Sequence, residues 1–114
     1  MNFKKKFENF KCWIEIEPQQ GGELKAEVFV ENMPPFLYKD ELKELFECDL
    51  KVKEGWYEYP RSFCFAVCSL PNILSLPILL EKLNKKINKK QKRIEKQKRE
   101  IKNIFKEAGF EEVE

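Results

Sequence analysis

Along the first third of the chain, apolar residues fall at every second position. Over residues 10–17, Phe10, Cys12, Ile14 and Ile16 alternate with Lys11, Trp13, Glu15 and Glu17; over 23–31, Leu24, Ala26, Val28 and Val30 alternate with more polar neighbours. A period of two is that of a half-buried strand, whose successive side chains point to opposite faces. Pro18, Gln19, Gln20, Gly21 and Gly22 separate the runs, so the pair reads as a β-hairpin with a loop of about five residues. Residues 50–59 and 62–70 read as a second hairpin closed at Pro60 and Arg61, with Gly55 as a bulge or kink. In its second strand Phe63, Phe65 and Val67 point one way, while Cys64, Ala66, Cys68 and Leu70 point the other. Both faces are apolar, which predicts a central strand. Its small Cys-Ala-Cys face predicts close approach of a helix on that side.

Helical spacing appears in three places. Phe3, Phe7 and Phe10 suggest a short amphipathic turn at the start. Asn32 to Pro35 breaks the second strand, and residues 39–47 then place Leu42, Leu45 and Phe46 on one stripe, with Asp40 and Glu41 in the first turn, where the helix dipole favours acids. With Ser75 as N-cap and Pro77 in the first turn, a third helix runs to Ala108. Gly109 followed by Phe110 predicts a Schellman ending in which Phe110 meets Phe105. Such a helix has roughly 32 residues, or ~48 Å at 1.5 Å each, longer than the body of so small a domain. Part of it must project or pack on something else.

The predicted fold class is therefore α+β: ββαββα, a four-stranded antiparallel sheet with a short helix and a long C-terminal helix. Residues 1–80 form the small body of two hairpins and a short helix. The long basic helix over 75–108 belongs to the same domain, and 109–114 is an acidic tail.

At 114 residues, 42% of them hydrophobic and with ten Phe, the chain can bury one modest core. No run approaches the ~20 apolar residues of a membrane span, and Lys4, Lys5 and Lys6 are followed by no apolar leader segment, so the expectation is a cytoplasmic protein, or one in the host cytoplasm if viral, with no membrane role. In that compartment Cys12, Cys48, Cys64 and Cys68 are expected as buried free thiols. Histidine is absent, which removes the commonest proton-transfer group near neutral pH and any Cys-His or Ser-His dyad. Gly21-Gly22 lacks the Lys-Ser/Thr of a phosphate-binding loop, and the four cysteines lack the paired spacing of a zinc site. The reading is no enzyme, no catalytic residue, no metal and no cofactor.

Two surfaces remain as candidates. Residues 1–80 hold ten basic and thirteen acidic side chains (net −3), 81–107 hold twelve basic and four acidic (net +8), and the last seven are net −3. Lys85, Lys86, Lys89, Lys90, Lys92, Arg93, Lys96 and Arg99 would contact nucleic-acid phosphates by releasing counterions, without sequence information, or would simply keep the helix solvated. Leu80, Ile87, Ile94 and Ile101 recur every seven residues as half of a coiled-coil seam, whose other half, Leu83, Lys90, Gln97 and Ile104, is polar in the middle. Packing of Leu76 to Ile87 on the sheet explains the first part of that repeat without a partner. The second surface is aromatic: Trp13 and Phe29 on the outward face of the first hairpin, with Trp56, Tyr57 and Tyr59 in the second, residues enriched at interface cores.

Together these features predict a non-enzymatic protein-interaction or regulatory protein, of the kind that includes small viral and mobile-element inhibitors, docking or forming a homodimer through its long helix. The alternative is a nucleic-acid-binding protein that uses 82–106 as a non-specific phosphate clamp.

Overall fold

The computed structural model describes residues 1–34, 36, 44, 45, 50–52 and 61–113. It is an α+β fold: β1 (Asn2–Lys6), β2 (Lys11–Pro18), β3 (Leu24–Met33), β4 (Leu50–Val52), β5 (Arg61–Val67) and one long helix, α1 (Leu70–Glu107). The strands form a single antiparallel sheet in the order β1-β2-β3-β5-β4. Both strands of the first hairpin and the partners of the second are present, with a fifth strand added at the edge.

That fifth strand stands where helical spacing of Phe3, Phe7 and Phe10 suggested an amphipathic turn. A helix of one or two turns cannot hold itself in water, whereas the free edge of β2 offers a row of unpaired backbone groups. Asn2 to Lys6 pairs with Glu15 to Lys11 instead, and Ile16 donates its backbone N–H to Met1 O at 2.9 Å beyond the ladder. Phe7 and Phe10 lie at the turn, stacked with ring centroids 4.6 Å apart and both buried.

The β2–β3 loop has the expected five residues but lies one position later, at 19–23 instead of 18–22, because Pro18 still pairs with Leu24; Gly21 and Gly22 take φ of +90° and +87°, a region costly for any other residue. Strand β3 does not stop at Asn32. Asn32 takes φ +60° and the register slips between Glu31 and Met33, the signature of a β-bulge. One extra residue reverses the alternation, so Met33 points into the core with Val28 and Val30.

Strand β5 is internal, flanked by β3 and β4, as its two apolar faces required. The helix covers the other side from the one expected. Phe65 and Val67, in register with Val28 and Ala26, are buried, while Cys64 and Ala66 are half-buried on the opposite face beside Phe29 and Glu27. Neighbouring strands decide this: the Phe65 face continues into Ala26, Val28, Val30 and Cys12, whereas the Ala66 face continues into Glu27 and Glu15.

The helix begins six residues earlier than expected. Ser-Leu-Pro occurs twice, and Ser69 rather than Ser75 is the N-cap, its Oγ accepting from Asn72 N at 3.3 Å with Pro71 in the first turn. The earlier start places Ile73 and Leu76 on the core. Ser75 lies within the helix, its Oγ donating to Asn72 O at 2.8 Å, and Pro77 is inside the helix on its exposed side.

Of the short helix expected over 39–47, all but Glu44 and Leu45 lies outside the described residues; Leu45 and Phe36 pack against the core. Cys48, Gly55 and Pro60 also lie outside them. Of the three described cysteines only Cys12 is buried; Cys64 is half-buried and Cys68, just past β5, is exposed rather than buried. Burial pushes the Cys12 thiol up to about 12, so it stays neutral inside the core. Among the described residues no helix is long and apolar enough to cross a membrane.

Two outcomes follow from this geometry. Asn32→Val should destabilise the fold by roughly 1–3 kcal/mol, because a β-branched residue resists positive φ, while Asn32→Gly should be near neutral; equal denaturation midpoints for both would place no bulge there. The raised Cys12 value means the unfolded chain loses this proton first as pH rises. Stability tied to Cys12 is thus fully present below pH ~9 and lost toward ~12. Stability above pH 9 should fall less steeply in Cys12→Val, as chemical denaturation at stepped pH would show.

Candidate interaction surfaces

The helix face that covers the sheet is set by period. Ile73, Leu76, Leu80, Leu83 and Ile87 are its buried residues, spaced by threes and fours so that they form one stripe. Next to Ile87 the β1–β2 turn is tied down by side chains. Asn9 Nδ2 donates to Asn84 Oδ1 at 3.0 Å and Asn88 Oδ1 at 2.9 Å, and Asn88 Nδ2 donates to Glu8 Oε2 at 3.1 Å. Lys5 pairs with Glu81 at 2.9 Å on the same side.

Beyond Asn88 the helix leaves the body. Residues 88–107 span ~30 Å at 1.5 Å each, and none of them is buried. The molecule is accordingly 68 × 26 × 23 Å, with a radius of gyration of 18.2 Å against the ~13 Å of a compact chain this long.

The stripe does not end where the sheet ends. Ile94, Ile101, Ile104, Phe105 and Ala108 continue it at the same helical angles, interrupted by Lys90 and Gln97. Ile94 is half-buried, while Ile101, Ile104 and Phe105 are more than half exposed. The predicted Schellman ending is present: Phe110 N donates to Phe105 O at 3.0 Å, Gly109 N to Lys106 O at 3.1 Å, and Gly109 has φ +89°. Phe110 folds back on Phe105 with centroids 5.3 Å apart, and Lys102 pairs with Glu112 at 3.3 Å, holding the tail against the helix. The result is an open apolar hollow of about 460 Å³ at the tip, lined by Ile101, Phe105 and Phe110 and rimmed by Lys98, Lys102 and Lys106.

Of the heptad residues, Leu80 and Ile87 thus lie in the core, Ile94 at the exit and Ile101 on the projecting half. Exposed Phe105 and Phe110 entered the sequence reading only as a cap contact; two phenylalanines bracketing Gly109 on a helix already too long for its body were the available signal. Lys85, Lys89, Lys92, Arg93, Lys96 and Arg99 are exposed, and Lys86 and Lys90 half-buried. Lys86, Lys89, Lys90 and Arg93 converge on one open hollow of about 390 Å³.

On the sheet's outer face Trp13 pairs in register with Phe29, and Phe29 with Cys64. Trp13 is 40% exposed, and its Nε1 donates to Glu15 Oε1 at 3.2 Å. Trp13 and Phe29 line a shallow groove of about 570 Å³ whose border carries both signs of charge, Lys4, Lys6 and Lys11 with Glu15 and Glu31. Trp56, Tyr57 and Tyr59 lie outside the described residues.

These features define a class: an α+β protein whose antiparallel sheet is covered by one helix that outruns it. No protein-family model matches the chain, and no curated protein or solved structure matches it either.

Gly109→Val should fray the last turn by at least about 1 kcal/mol, since the new side chain opposes positive φ. Amide exchange at Gly109 and Phe110 should then accelerate about fivefold or more; unchanged exchange would place the stop elsewhere.

Proposed function

We propose that this chain is a non-enzymatic interaction protein of the cytoplasm, in which the sheet and the first half of α1 form a mount and the projecting half of α1 is the docking element. One observation carries this reading. Ile101, Ile104 and Phe105 at the end of a helix that continues its apolar stripe past the body, and Phe110 and Val113 in the tail after it, are each more than half exposed. Apolar surface concentrated and held in shape at the end of a basic rod supports a role in contact with another macromolecule, because exposed apolar clusters mark interaction sites. Trp13 and Phe29, side by side on the outer sheet face, offer a second contact area.

The immobilised full chain, exposed to extract of its native cells, should retain a partner that an Ile101→Asp/Phe105→Ala chain loses. Equal retention by both chains would overturn the reading.

The hollow formed by Lys86, Lys89, Lys90 and Arg93 favours a second reading, that the projecting helix holds nucleic-acid phosphates. Several phosphate contacts predict a loss of duplex affinity on the order of 10³-fold between about 50 and 200 mM salt. Gel shifts at both salt concentrations check it, and absence of binding at low salt removes it.

A further inference from the structure

We propose that the open edge of β1 takes up an extended segment of another protein as a sixth strand, one whose residues alternate between acidic and apolar. This is a site apart from the projecting helix, and three features of the body carry it.

The first is the backbone. β1 stands at the end of the sheet, with no strand beyond it among the described residues. Met1 N donates to Ile16 O and Ile16 N to Met1 O, each at 2.9 Å, and Phe7 N donates to Phe10 O at 2.8 Å. In an antiparallel ladder such bonded pairs recur at every second residue, so Phe3 and Lys5 turn their N–H and C=O toward β2. Asn2, Lys4 and Lys6 turn theirs outward, a row of donors and acceptors that fits another strand.

The second is the groove beside that edge. The helix seals the core but does not extend over β1. Phe3, Leu70, Leu74 and Ile78 are each more than half exposed, and Ile14 and Ile16 are half-buried. Leu70, Leu74 and Ile78 stand four apart, on one flank of the helix. Phe3, Ile14, Ile16, Leu74 and Pro77 wall an apolar groove of about 420 Å³ between β1 and α1, and the Lys5 and Glu81 pair, 2.9 Å apart, stands at its border. A strand added about 4.8 Å outside β1 would point every second side chain into this groove, beside Phe3 and toward Leu74. Those side chains must be apolar.

The third is charge. The alternate side chains of an added strand would lie on the outer face beside Lys4 and Lys6, since neighbours across strands share a face. Both lysines are exposed, and neither makes an ion pair among the described residues. Carboxylates in the added strand meet this charge. The same lysines turn away a second copy of β1, because self-pairing along the edge would set lysine beside lysine. Main-chain bonds then hold the guest strand, and the groove and the lysines select it.

The full chain is titrated with a peptide of about eight residues alternating Glu and Val, long enough to span β1, while its amide resonances are followed. One control peptide carries Lys for Glu, and another has the same composition with the acids and valines in separate blocks. At saturation the Asn2, Lys4 and Lys6 amides should exchange with solvent about tenfold slower or more, and both controls should bind about tenfold more weakly or worse. Lys4→Pro removes one outward N–H and leaves the ladder to β2 whole, so it should lower affinity about tenfold or more in a folded chain. Leu74→Asp, at an exposed position, should do the same from the groove side. No binding of the alternating peptide, equal binding of a control, or either variant binding as tightly as wild type would each overturn the proposal. Slowed exchange at β1 that grows with protein concentration in the absence of peptide would give the edge to a second copy and overturn it too.

Discussion

The structure depends on one contact, the stripe of Leu76, Leu80, Leu83 and Ile87 lying against the sheet face of Ala26, Val28 and Val30. Each of these seven residues is at most 2% exposed. Burying side chains of this size stabilises the fold by roughly 1.5–3 kcal/mol apiece before entropy is counted, the bulk of what a single thin core can supply. Short side chains on β3 let the helix lie close, and β3 is the middle strand of the five, so one helix reaches cover on both sides. Phe7 and Phe10, folded over from the β1–β2 turn, close the core at the end where the helix leaves. The outer sheet face and the helix past Asn88 thereby stay outside this core.

The period that seats the helix on the sheet also made the projecting half hard to place from sequence. Leu80 and Ile87 obey the same seven-residue repeat as Ile94 and Ile101, and the repeat carries no mark at the point where the sheet stops. The turn at Glu8 and Asn9, bound to Asn84 and Asn88, marks that point, and those contacts join residues about 75 to 80 apart. By contrast the first hairpin, its five-residue loop and the Schellman ending were legible, because each is governed by neighbours in sequence: alternation, two glycines, and Gly109 between two phenylalanines. Local chemistry misled where two solutions shared one signal. The repeated Ser-Leu-Pro offered two N-caps, and burial of Ile73 selected the first. Three phenylalanines at helical spacing proved equally compatible with a strand and a stacked turn, and the open edge of β2 selected the strand. The bulge at Asn32 left only an asparagine ahead of Met33, a residue that tolerates positive φ but does not announce it.

The outer sheet face shows how charge and apolar area are divided. Trp13 and Phe29 stand side by side, yet the next row pairs Glu15 with Glu27, and Lys25 binds Glu27 at 3.1 Å. On the other side Lys11 pairs with Glu31 and Lys6, and Lys4 stands level with Trp13, so charges of both signs border the aromatic pair.

The projecting helix persists without a core beneath it because its own sequence carries it. Lys, Gln, Glu and Arg lose little side-chain freedom in a helix, and the 20 residues past the body extend one already nucleated on the sheet, so the cost of starting a helix is not met again. Lys98 lies 3.7 Å from Glu95 one turn away, and the Lys102 and Glu112 pair fastens the tail. What the sequence withholds is equally telling. Lys90 and Gln97 occupy the stripe just after the exit, where leucines would have made a continuous sticky seam from the core to the tip. Two polar residues there separate the apolar surface that holds the fold from the apolar surface that remains exposed. The core of the body is therefore complete without any contribution from the tip.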